Sequence, residues 1–575
     1  MACRDIIVRV AGEGGEGVIS VAGILTRSAA NAAWKVFTFR SYPAEIKGGL
    51  AMMQVRISTD AVQSIGMEAD ILMAFNQEAM DTWGDRIAPN GVVLYDPKHC
   101  EIPEGFSHKA VPAPLHETSM TVTGGRLSKN IVALAALTSV LAIPPDKVKE
   151  LIRSRFKRKG EDILEKNMKA FEAGLVLLDG VPEVAGYELE QPKAEAERKI
   201  IISGNQAVAM GALAAGCRYV AGYPITPATP ILEFMMKYLP ALGGDVVQAE
   251  DEIAAIASVL GASFAGKKAM TATSGPGLCL MSELIGMASM SELPLVIVDV
   301  QRSGPGTGMP TKTEQADLMY ALHGTAGEAP RIVLAPTSIE DCFYQTVEAF
   351  NLAERYQMPV ILLTDQAMAY RTQSVVIPDM THLDILERDV AESGAVAGYD
   401  RYFDTKSGIS PMTIPGMVDG MYIATGLEHD EHGAPNYTPE NRVRSMAKRY
   451  RKLETLSKEL DANGNGVYDP AAAAKIGIIG WGSTEGPIKE AIARAKEDGT
   501  RVAHMQPKVL MPLAKEKMMA FLKPLKKVLV VEENYTAQFS SYLKSNFKVE
   551  PIEVNKCTGL PFSGDEVFDA LKKHL

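Results

Sequence analysis

Short apolar runs alternate with segments of helical periodicity from Ile6 to about Leu178. The runs IIVRVA, VFTFRSY and DILMAF are rich in β-forming residues, and VISVAGILTRSAANAA carries the spacing of a helix. Alternation of this kind is typical of an open α/β layer. The sequence therefore predicts an α/β domain over residues 1–190.

A second α/β series begins after a polar segment. GYELEQPKAEAERK, at 186–199, is charged and poor in core residues, so we interpret it as a linker. The runs YVAGYPI, KAMTATS, LVIVDVQR and VILLTD follow, and they are apolar on both faces. Parallel strands buried beneath two layers of helices have this pattern. We place this second domain at 197–375.

In the last third of the chain, the regular alternation of apolar runs and helical segments is interrupted. Residues 376–470 are rich in Asp, His, Gly and Pro and then carry a basic helical pattern, ENRVRSMAKRYRKLETLSKEL. We interpret them as a connector that wraps over the surface. From 471 to 575, the runs IGIIGWGST, KKVLVVEEN and IEVNK indicate a smaller α/β unit. The predicted fold class is multidomain α/β.

Composition narrows the function classes. A chain of 575 residues is too long for one hydrophobic core, and a net charge of −11 disfavours nucleic acid as a partner. No apolar stretch reaches the length of about 20 residues that a membrane span needs, so we expect a cytoplasmic protein. The six cysteines are scattered without a C-x-x-C pair, so we expect no iron–sulfur cluster in this chain.

A glycine-rich loop follows the first predicted strand. Gly12, Gly14 and Gly17 satisfy G-x-G-x-x-G, the pattern of a dinucleotide site between a strand and a helix. Glu13 and Glu16 would place negative charge beside a pyrophosphate, and the run VFTFR does not end in an acidic residue. A tight turn without a ligand is the other interpretation that the residues leave open.

The segment YPITP, at 223–227, places two prolines around Thr226 after a buried strand. Pro227 suits a first helical turn, and the residue before a proline is held in extended geometry. Thr226 would then stand at the carboxyl end of the strand, where open α/β sheets bind ligands. Capping of the following helix is the alternative role for Thr226.

Glu252 begins a predicted helix whose next residues, IAAIASVLGASFAG, are almost all small or apolar. A carboxyl group with so few polar neighbours is a candidate general acid or base. Alternatively, Glu250, Asp251 and Glu252 together complement the positive end of the helix dipole.

Two Gly- and Pro-rich loops follow apolar strands further along the chain. TATSGPG lies at 271–277 and VQRSGPGTGMPTKTEQADL at 300–318. Arg302, at a strand end, could bind a carboxylate through two hydrogen bonds, and Lys312 could add a second positive charge. A structural ion pair is the plainer role for Arg302.

These motifs, in this order, closely resemble the alpha subunits of 2-oxoacid:ferredoxin oxidoreductases, especially those of the 2-oxoglutarate branch. The glycine loop and SYPAEIKGGLA, at 41–51, resemble the gamma domain of the same family. The resemblance covers nearly the whole chain and implies a fused gamma-alpha subunit. It further implies that 1–190 handles coenzyme A, that 197–375 is a pyrimidine-type thiamine-binding domain and that 471–575 is a transketolase-C-like domain.

The resemblance also assigns roles to residues. Glu252 corresponds to the glutamate that contacts N1′ of the thiamine aminopyrimidine, Thr226 to a threonine beside the substrate, and Arg302 to the arginine that binds the oxoacid carboxylate. We add the hypothesis that Lys312 helps to bind a distal carboxylate. The expected cofactor-binding positions are, besides Glu252, Tyr223, Pro224, Ile225, Ser274, Gly275, Gly14 and Gly15.

The activity implied is thiamine-dependent oxidative decarboxylation of 2-oxoglutarate to succinyl-CoA and carbon dioxide with electrons passed to ferredoxin, or the reverse carboxylation. The chain lacks a G-D-G segment for magnesium and thiamine pyrophosphate and lacks a cysteine cluster. A beta subunit is therefore expected to hold most of the cofactor, the magnesium and a four-iron four-sulfur cluster, in a dimer of alpha-beta heterodimers.

Two alternatives remain open at this point. One is a branched-chain or broad-specificity 2-oxoacid:ferredoxin oxidoreductase, which differs in the substrate it prefers. The other is a noncatalytic nucleotide- or acyl-CoA-binding module built on the glycine loop. Substitution of Glu252 by Ala would leave ligand binding by such a module intact.

Overall fold

The computed structural model describes residues 2–43, 48–193, 197–391 and 399–575, which form two compact units. The first unit comprises Met1–Ile202, Tyr370–Ile377 and Ser563–Asp565, and the second comprises Ser203–Ala369, Pro378–Phe562 and Glu566–Leu575. Both units contain sheets covered by helices, so the predicted multidomain α/β class is confirmed. Among the described residues, none of the helices is both long enough and apolar enough to cross a membrane.

The first unit is built on a mixed sheet. Strand Asp5–Glu13 runs parallel to Ala69–Ala74 on one side and antiparallel to Leu50–Ser58 on the other. In the described residues the order of the eight strands across the sheet is Lys109–Pro112, Ile87–Tyr95, Ala69–Ala74, Asp5–Glu13, Leu50–Ser58, Lys35–Ser41, Thr372–Val376 and Lys199–Ser203.

Helices of the first unit pack against this sheet and against each other around one core, which includes Trp34 and Phe171. The α-helices are Val18–Asn31, Gln77–Trp83, Leu115–Thr123, Lys129–Val140, Pro145–Phe156 and Glu161–Leu175, and the short 3₁₀ turns are Arg126–Ser128, Lys157–Lys159 and Pro182–Val184.

Strands Lys199–Ser203 and Thr372–Val376 lie in this first sheet, although the sequence analysis places both in the second domain. The pattern of a short strand does not encode its hydrogen-bonding partners, and these strands pair over long sequence separations. The domain boundaries at 190, 197, 375 and 471 stay predictions. Part of the proposed linker, residues 194–196, lies outside the described residues.

The second unit contains a sheet of seven strands in the described residues. Ala269–Thr273, Leu295–Gln301 and Pro359–Asp365 are buried at every position, which confirms the prediction of parallel strands covered on both faces. The edge strand Val509–Met511 runs antiparallel to its neighbour. The order is Val509–Met511, Ile332–Leu334, Pro359–Asp365, Leu295–Gln301, Ala269–Thr273, Tyr219–Gly222 and Asp245–Gln248.

Helices cover both faces of this sheet. They are Gly204–Ala214, Thr229–Tyr238, Glu252–Phe264, Gly275–Leu280, Ser282–Met290, Leu318–His323, Ile339–Tyr356 and Gln366–Tyr370, with a 3₁₀ turn at Pro240–Leu242.

The same unit holds a five-stranded sheet near the C-terminus. Its strands, in order, are Val467–Asp469, Val502–Gln506, Ile476–Gly480, Lys527–Glu532 and Ile552–Asn555. The helices in this part of the chain are Glu485–Glu497, Lys515–Leu522, Gln538–Asn546 and Gly564–Lys572, with a 3₁₀ turn at Gly482–Thr484.

The predicted surface connector contains the long helix Pro439–Asn463. Instead of lying over the surface throughout, this helix buries Lys448 and Lys452, whose Nζ atoms lie 2.7 Å and 2.5 Å from the Glu292 carboxylate. The two lysines are buried because they pair with the buried Glu292 carboxylate. The many charged residues of the helix predict an exposed position, and they do not show which of them have a buried partner. Residues 392–398 of the connector lie outside the described residues.

Candidate functional site

Three motifs of the second unit end at the same edge of its seven-stranded sheet. YPITP follows strand Tyr219–Gly222, TSGPG begins in strand Ala269–Thr273, and Arg302 follows strand Leu295–Gln301. The three strands are parallel neighbours, so their carboxyl ends meet. Ligands of open α/β sheets bind at this edge.

Arg302 is in contact with the YPITP segment. Its Nη1 donates a hydrogen bond of 2.7 Å to the backbone oxygen of Thr226, and Asn205 Nδ2 donates one of 2.9 Å to the oxygen of Pro227. The Arg302 side chain is buried, and its Nε has no acceptor among the described residues. The guanidinium therefore keeps a buried donor available for a ligand.

Thr226 does not cap the next helix. Helix Thr229–Tyr238 begins after Ala228 without a side-chain cap, which excludes the capping role. The proline of its first turn is Pro230, so the expectation that Pro227 occupies that turn is wrong. Thr226 is half-buried and Tyr223 is exposed at the same sheet edge.

Glu252 is the first residue of helix Glu252–Phe264, as the sequence predicts, and its side chain is buried. The neighbouring Asp251 performs the capping, because its Oδ1 accepts the Ala254 N–H at 2.7 Å. A Cβ added at Gly277 would lie 2.7 Å from Glu252 Oε1. The last glycine of TSGPG therefore leaves the space that the Glu252 carboxyl group occupies.

Other polar groups of TATSGPG are buried without partners. Thr271 Oγ1 and Ser274 Oγ have no hydrogen-bond partner among the described residues. Gly275 stands against Asp317, and a Cβ added there would lie 2.7 Å from Asp317 Oδ2. Unsatisfied buried hydroxyl groups are uncommon in folded proteins and are consistent with a ligand that completes them.

Lys312 lies on the opposite arm of the loop that Arg302 begins. The Ser303 N–H donates to the Lys312 oxygen at 3.0 Å, which joins the two arms. Lys312 is half-buried, its stem lies against Gly559, and burial lowers the pKa of its ammonium group.

The sequence analysis missed two carboxyl groups beside Arg302. Asp299 is fully buried in strand Leu295–Gln301, and burial, with Asp317 nearby, raises its pKa well above the usual range. Burial and Glu314 raise the pKa of Asp317 to about 6. The available signal was a lone Asp in the otherwise apolar run LVIVDV.

The first unit contains a cavity of about 560 Å³ at the glycine loop, lined by Gly14, Gly15, Ser20, Arg40 and Tyr42 among others. Strand Asp5–Glu13 leads into the loop and helix Val18–Asn31 leaves it, as predicted.

Two features suit this loop to an anion. The helix carries no acidic residue in its first turn and no side-chain cap, and its first residues, Val18, Ile19 and Ser20, line the cavity together with Glu13. Glu16 forms an ion pair with Lys129, which balances its charge. Residues 44–47 of the segment SYPAEIKGGLA lie outside the described residues.

Gly17 has a specific structural reason to be glycine. Its φ is +90°, and a Cβ there would lie 2.3 Å from Asn130 Nδ2. The tight turn predicted for the loop is therefore present, and it lines the cavity.

Three family models match the chain. Residues 7–177 match "Pyruvate ferredoxin/flavodoxin oxidoreductase", residues 210–448 match "Pyruvate flavodoxin/ferredoxin oxidoreductase, thiamine diP-bdg", and residues 474–556 match "Pyruvate:ferredoxin oxidoreductase core domain II". The middle match contains Thr226, Glu252 and Arg302.

Similar proteins agree with these matches. The chain is 43% identical to a solved 2-oxoglutarate:ferredoxin oxidoreductase from Magnetococcus marinus, with 99% of each chain covered and a TM-score of 0.94. That structure contains 2-oxoglutarate, coenzyme A and succinyl-CoA.

Curated relatives span nearly the same length. The chain is 33% identical to the 2-oxoglutarate oxidoreductase subunit KorA of Mycobacterium tuberculosis, over 98% of this chain and 90% of the relative. It is 29% identical to the alpha subunit of 2-oxoacid:ferredoxin oxidoreductase 2 of Aeropyrum pernix, over 99% and 98%. The chain therefore belongs to the 2-oxoacid:ferredoxin oxidoreductase family, among its alpha subunits.

Proposed function

We propose that this chain is the gamma-fused alpha subunit of a 2-oxoglutarate:ferredoxin oxidoreductase. The enzyme would convert 2-oxoglutarate and coenzyme A to succinyl-CoA and carbon dioxide while reducing ferredoxin, or run in reverse. The observation that carries the proposal is Arg302, which keeps a buried, unused Nε donor beside Thr226. The Magnetococcus marinus relative, solved with 2-oxoglutarate and succinyl-CoA, supports this choice of substrate.

The residues at the sheet edge fit a thiamine diphosphate aminopyrimidine. Glu252 offers a buried carboxyl group beside Gly277, and the unpartnered hydroxyl group of Ser274 lies in the same motif as that glycine. Glu252 would hydrogen-bond N1′ of the ring, and Tyr223, Pro224, Ile225 and Gly275 would complete the pocket. When bound, the cofactor supplies the nucleophilic carbon and the electron sink that decarboxylation of a 2-oxoacid requires.

Three side chains would bind the oxoacid. Arg302 would hold the carboxylate next to the oxo group through charge-assisted hydrogen bonds, and Thr226 would lie beside it. Lys312 would contribute positive charge toward a distal carboxylate, which pyruvate and branched-chain oxoacids lack. Preference for 2-oxoglutarate over these monocarboxylates would support this role.

Coenzyme A would use the cavity of the first unit. The N-terminus of helix Val18–Asn31 and the guanidinium of Arg40 offer donors and positive potential to its phosphates. Gly14 and Gly15 would let the backbone approach those phosphates closely. A Cβ at Gly14 would lie 2.8 Å from the oxygen of Gly48, so the loop conformation itself depends on glycine there.

A beta subunit would supply the remaining cofactor-binding groups. Among the described residues no group of three or more His, Cys, Asp or Glu side chains is arranged to hold a metal ion. We propose that magnesium, the diphosphate group of the cofactor and a four-iron four-sulfur cluster belong to the beta subunit, in a cytoplasmic dimer of heterodimers that passes electrons to ferredoxin. Co-purification, metal analysis and mass measurement of the complex test this arrangement.

The deciding experiment is coenzyme-A-dependent reduction of viologen dye by the anaerobically purified complex. We expect kcat/KM for 2-oxoglutarate to exceed that for pyruvate and for 2-oxoisovalerate. Equal turnover of all three would favour the broad-specificity alternative. No turnover of any oxoacid, with the beta subunit, thiamine diphosphate and clusters present, would favour a noncatalytic binding module, and in that case Glu252→Ala would leave coenzyme A binding unchanged.

A further inference from the structure

Asp299 and Asp317 converge beneath the TSGPG loop. Side chains alternate along a strand, so Asp299 and Gln301 of strand Leu295–Gln301 project from the same face. Gln301 Oε1 accepts the Asp317 N–H at 3.1 Å, which brings Asp317 to that face. Gly275 covers Asp317 so closely that a Cβ there would lie 2.7 Å from Asp317 Oδ2.

These two carboxyl groups lack ordinary donors. Both oxygens of Asp299 and the Oδ2 of Asp317 are buried without an N–H or O–H donor among the described residues. Asp317 adds to the effect of burial in raising the pKa of Asp299, so the two carboxyl groups lie close to each other. A buried carboxylate without a donor is costly, which favours a proton on one of the two groups.

The guanidinium of Arg302 lies within electrostatic reach of both groups. Burial lowers the pKa of Arg302, while Asp317, Asp299 and Glu252 oppose that change. Thr226 holds Nη1 from one side. The carboxyl pair therefore supplies one of the nearby negative charges that stabilise the buried cation.

We infer that Asp299 and Asp317 share one proton and act as a positioning pair for Arg302, so that binding of an oxoacid carboxylate at Arg302 is linked to proton uptake by the pair. The inference rests on the proposed substrate role of Arg302. It assigns a role to two side chains that the proposed reaction does not otherwise use. Neither carboxyl group needs to touch the substrate, because both act through the guanidinium.

The sign of the linkage follows from the charges around the pair. With one shared proton the pair carries a single negative charge, and an arriving carboxylate adds a like charge nearby. Glu314 on the loop already raises the pKa of Asp317, Arg302 opposes it, and Cys279 faces the pair from helix Gly275–Leu280. A bound oxoacid would raise the pKa of Asp317 further, so oxoacid affinity should fall as pH rises through about 6.

The proton itself can be observed by infrared difference spectroscopy during pH titration of the purified complex. We expect a buried carboxylic acid band in the wild type at neutral pH. Asp299→Asn should abolish the band, because the amide donates to Asp317 and replaces the shared proton without changing the shape of the side chain. Asp317→Asn should abolish it in the same way.

Asp365→Asn is the matched control. Asp365 ends the neighbouring strand and is equally buried, but its Oδ1 already accepts the Met368 N–H at 2.8 Å. The carboxylic acid band should persist in this variant. A band that survives Asp299→Asn, or that disappears only in Asp365→Asn, would overturn the pair.

Kinetics with 2-oxoglutarate test the linkage to substrate. One pKa unit of coupling corresponds to about tenfold in binding, so KM in the wild type should rise roughly tenfold from pH 6 to pH 8. In Asp317→Asn, KM should stay within about twofold across that range, because the group whose pKa lies near 6 no longer titrates. A variant with the pH dependence of the wild type would overturn the linkage.

The outcomes separate this inference from the proposed function. Turnover without the infrared band would overturn the pair alone. A band without turnover of any oxoacid would overturn the proposed function, and with it the linkage to substrate.

Discussion

Two clusters of buried charge in the second unit differ in how their hydrogen bonds are completed. We call the first one, formed by Glu292, Lys448, Lys452 and Arg401, the anchor cluster. The Glu292 carboxylate accepts hydrogen bonds from Lys448 Nζ at 2.7 Å and from Lys452 Nζ at 2.5 Å, and Arg401 donates to the Glu292 backbone oxygen at 2.7 Å. Burial opposes the charge of Glu292, but Lys448, Lys452 and Arg401 hold its pKa far below the usual range.

The cluster around Arg302 is equally buried but incomplete. Asp299 has no N–H or O–H donor among the described residues, and Arg302 Nε has no acceptor there. Burial tends to raise the pKa of both carboxyl groups. At Glu292 the neighbouring cations outweigh this effect and the pKa is lowered, whereas at Asp299 burial is the largest effect and the pKa is raised. Buried charges with a complete set of partners hold elements together, whereas buried charges that lack partners mark a site that a ligand completes.

The largest expected effect lies in the anchor cluster. Glu292→Gln leaves Lys448 and Lys452 buried without their anion, and breaking a buried ion pair by removing one partner costs about 3–5 kcal/mol. The free energy of unfolding, measured by urea denaturation, should fall by that amount. Turnover per folded molecule should not change. Asp379→Asn, at an exposed carboxylate, should leave the urea midpoint where it is, and equal midpoints for both variants would refute the structural role of the cluster.

Arg302→Gln should show the reverse pattern. Loss of hydrogen bonds to a charged group costs about 1.5–3 kcal/mol, so KM for the oxoacid should rise by up to roughly 100-fold while stability stays the same. Arg388 is the matched control, because it is equally buried but bonded to Glu354 at 2.7 Å and 2.8 Å. Arg388→Gln should lower stability and leave KM unchanged. Similar behaviour of the two variants would remove the distinction between the clusters.

Gly277→Ala tests the space in front of Glu252. The new Cβ would lie 2.1 Å from Thr273 Oγ1 and 2.7 Å from Glu252 Oε1, and overpacking of this kind costs about 1–3 kcal/mol. Thiamine diphosphate affinity, measured by calorimetry on the complex, should weaken because Glu252 must move. Gly286→Ala is the control, since nothing lies within 4 Å of a Cβ there. Unchanged cofactor affinity in Gly277→Ala would argue against Glu252 as the ring contact.

The smallest effect concerns the pH dependence of the anchor cluster. Burial lowers the pKa of Lys452 to about 7, although Glu292 opposes the change. Between that value and the ordinary lysine pKa the unfolded chain binds more protons, so Lys452 makes stability rise with pH above 7. We expect unfolding free energy to increase by about 2 kcal/mol more between pH 7 and 9 in the wild type than in Lys452→Met. Parallel urea curves for the two proteins would contradict this.

Much of the site could be predicted because its signals are local. Glu252 at a helix start, Arg302 after an apolar strand and the glycine loop between a strand and a helix all follow from short segments. The α/β class follows from the alternation of apolar runs, which the burial of the central strands confirms.

The remainder depends on contacts between distant segments. Lys448 meets Glu292 across 156 residues, and Asp299 meets Asp317 only because the 302–316 loop folds back onto its strand. In strand Thr372–Val376, the Thr372 N–H donates to Thr38 Oγ1, which lies 334 residues earlier in the chain. Periodicity predicts which residues are buried, but it does not say which distant residue they meet.

Gln315 gives the loop after Arg302 a property of its own. Its N–H donates to the Glu533 oxygen at 2.6 Å, its Oε1 accepts the Glu533 N–H at 3.0 Å, and its Nε2 donates to the Trp481 oxygen at 3.0 Å. These three hydrogen bonds join the loop to the residues that directly follow strands Lys527–Glu532 and Ile476–Gly480. The backbone amide of Gln315 should therefore exchange with deuterium only when the end of the five-stranded sheet opens. Opening of the loop after Arg302 would then depend on the stability of the C-terminal part of the chain.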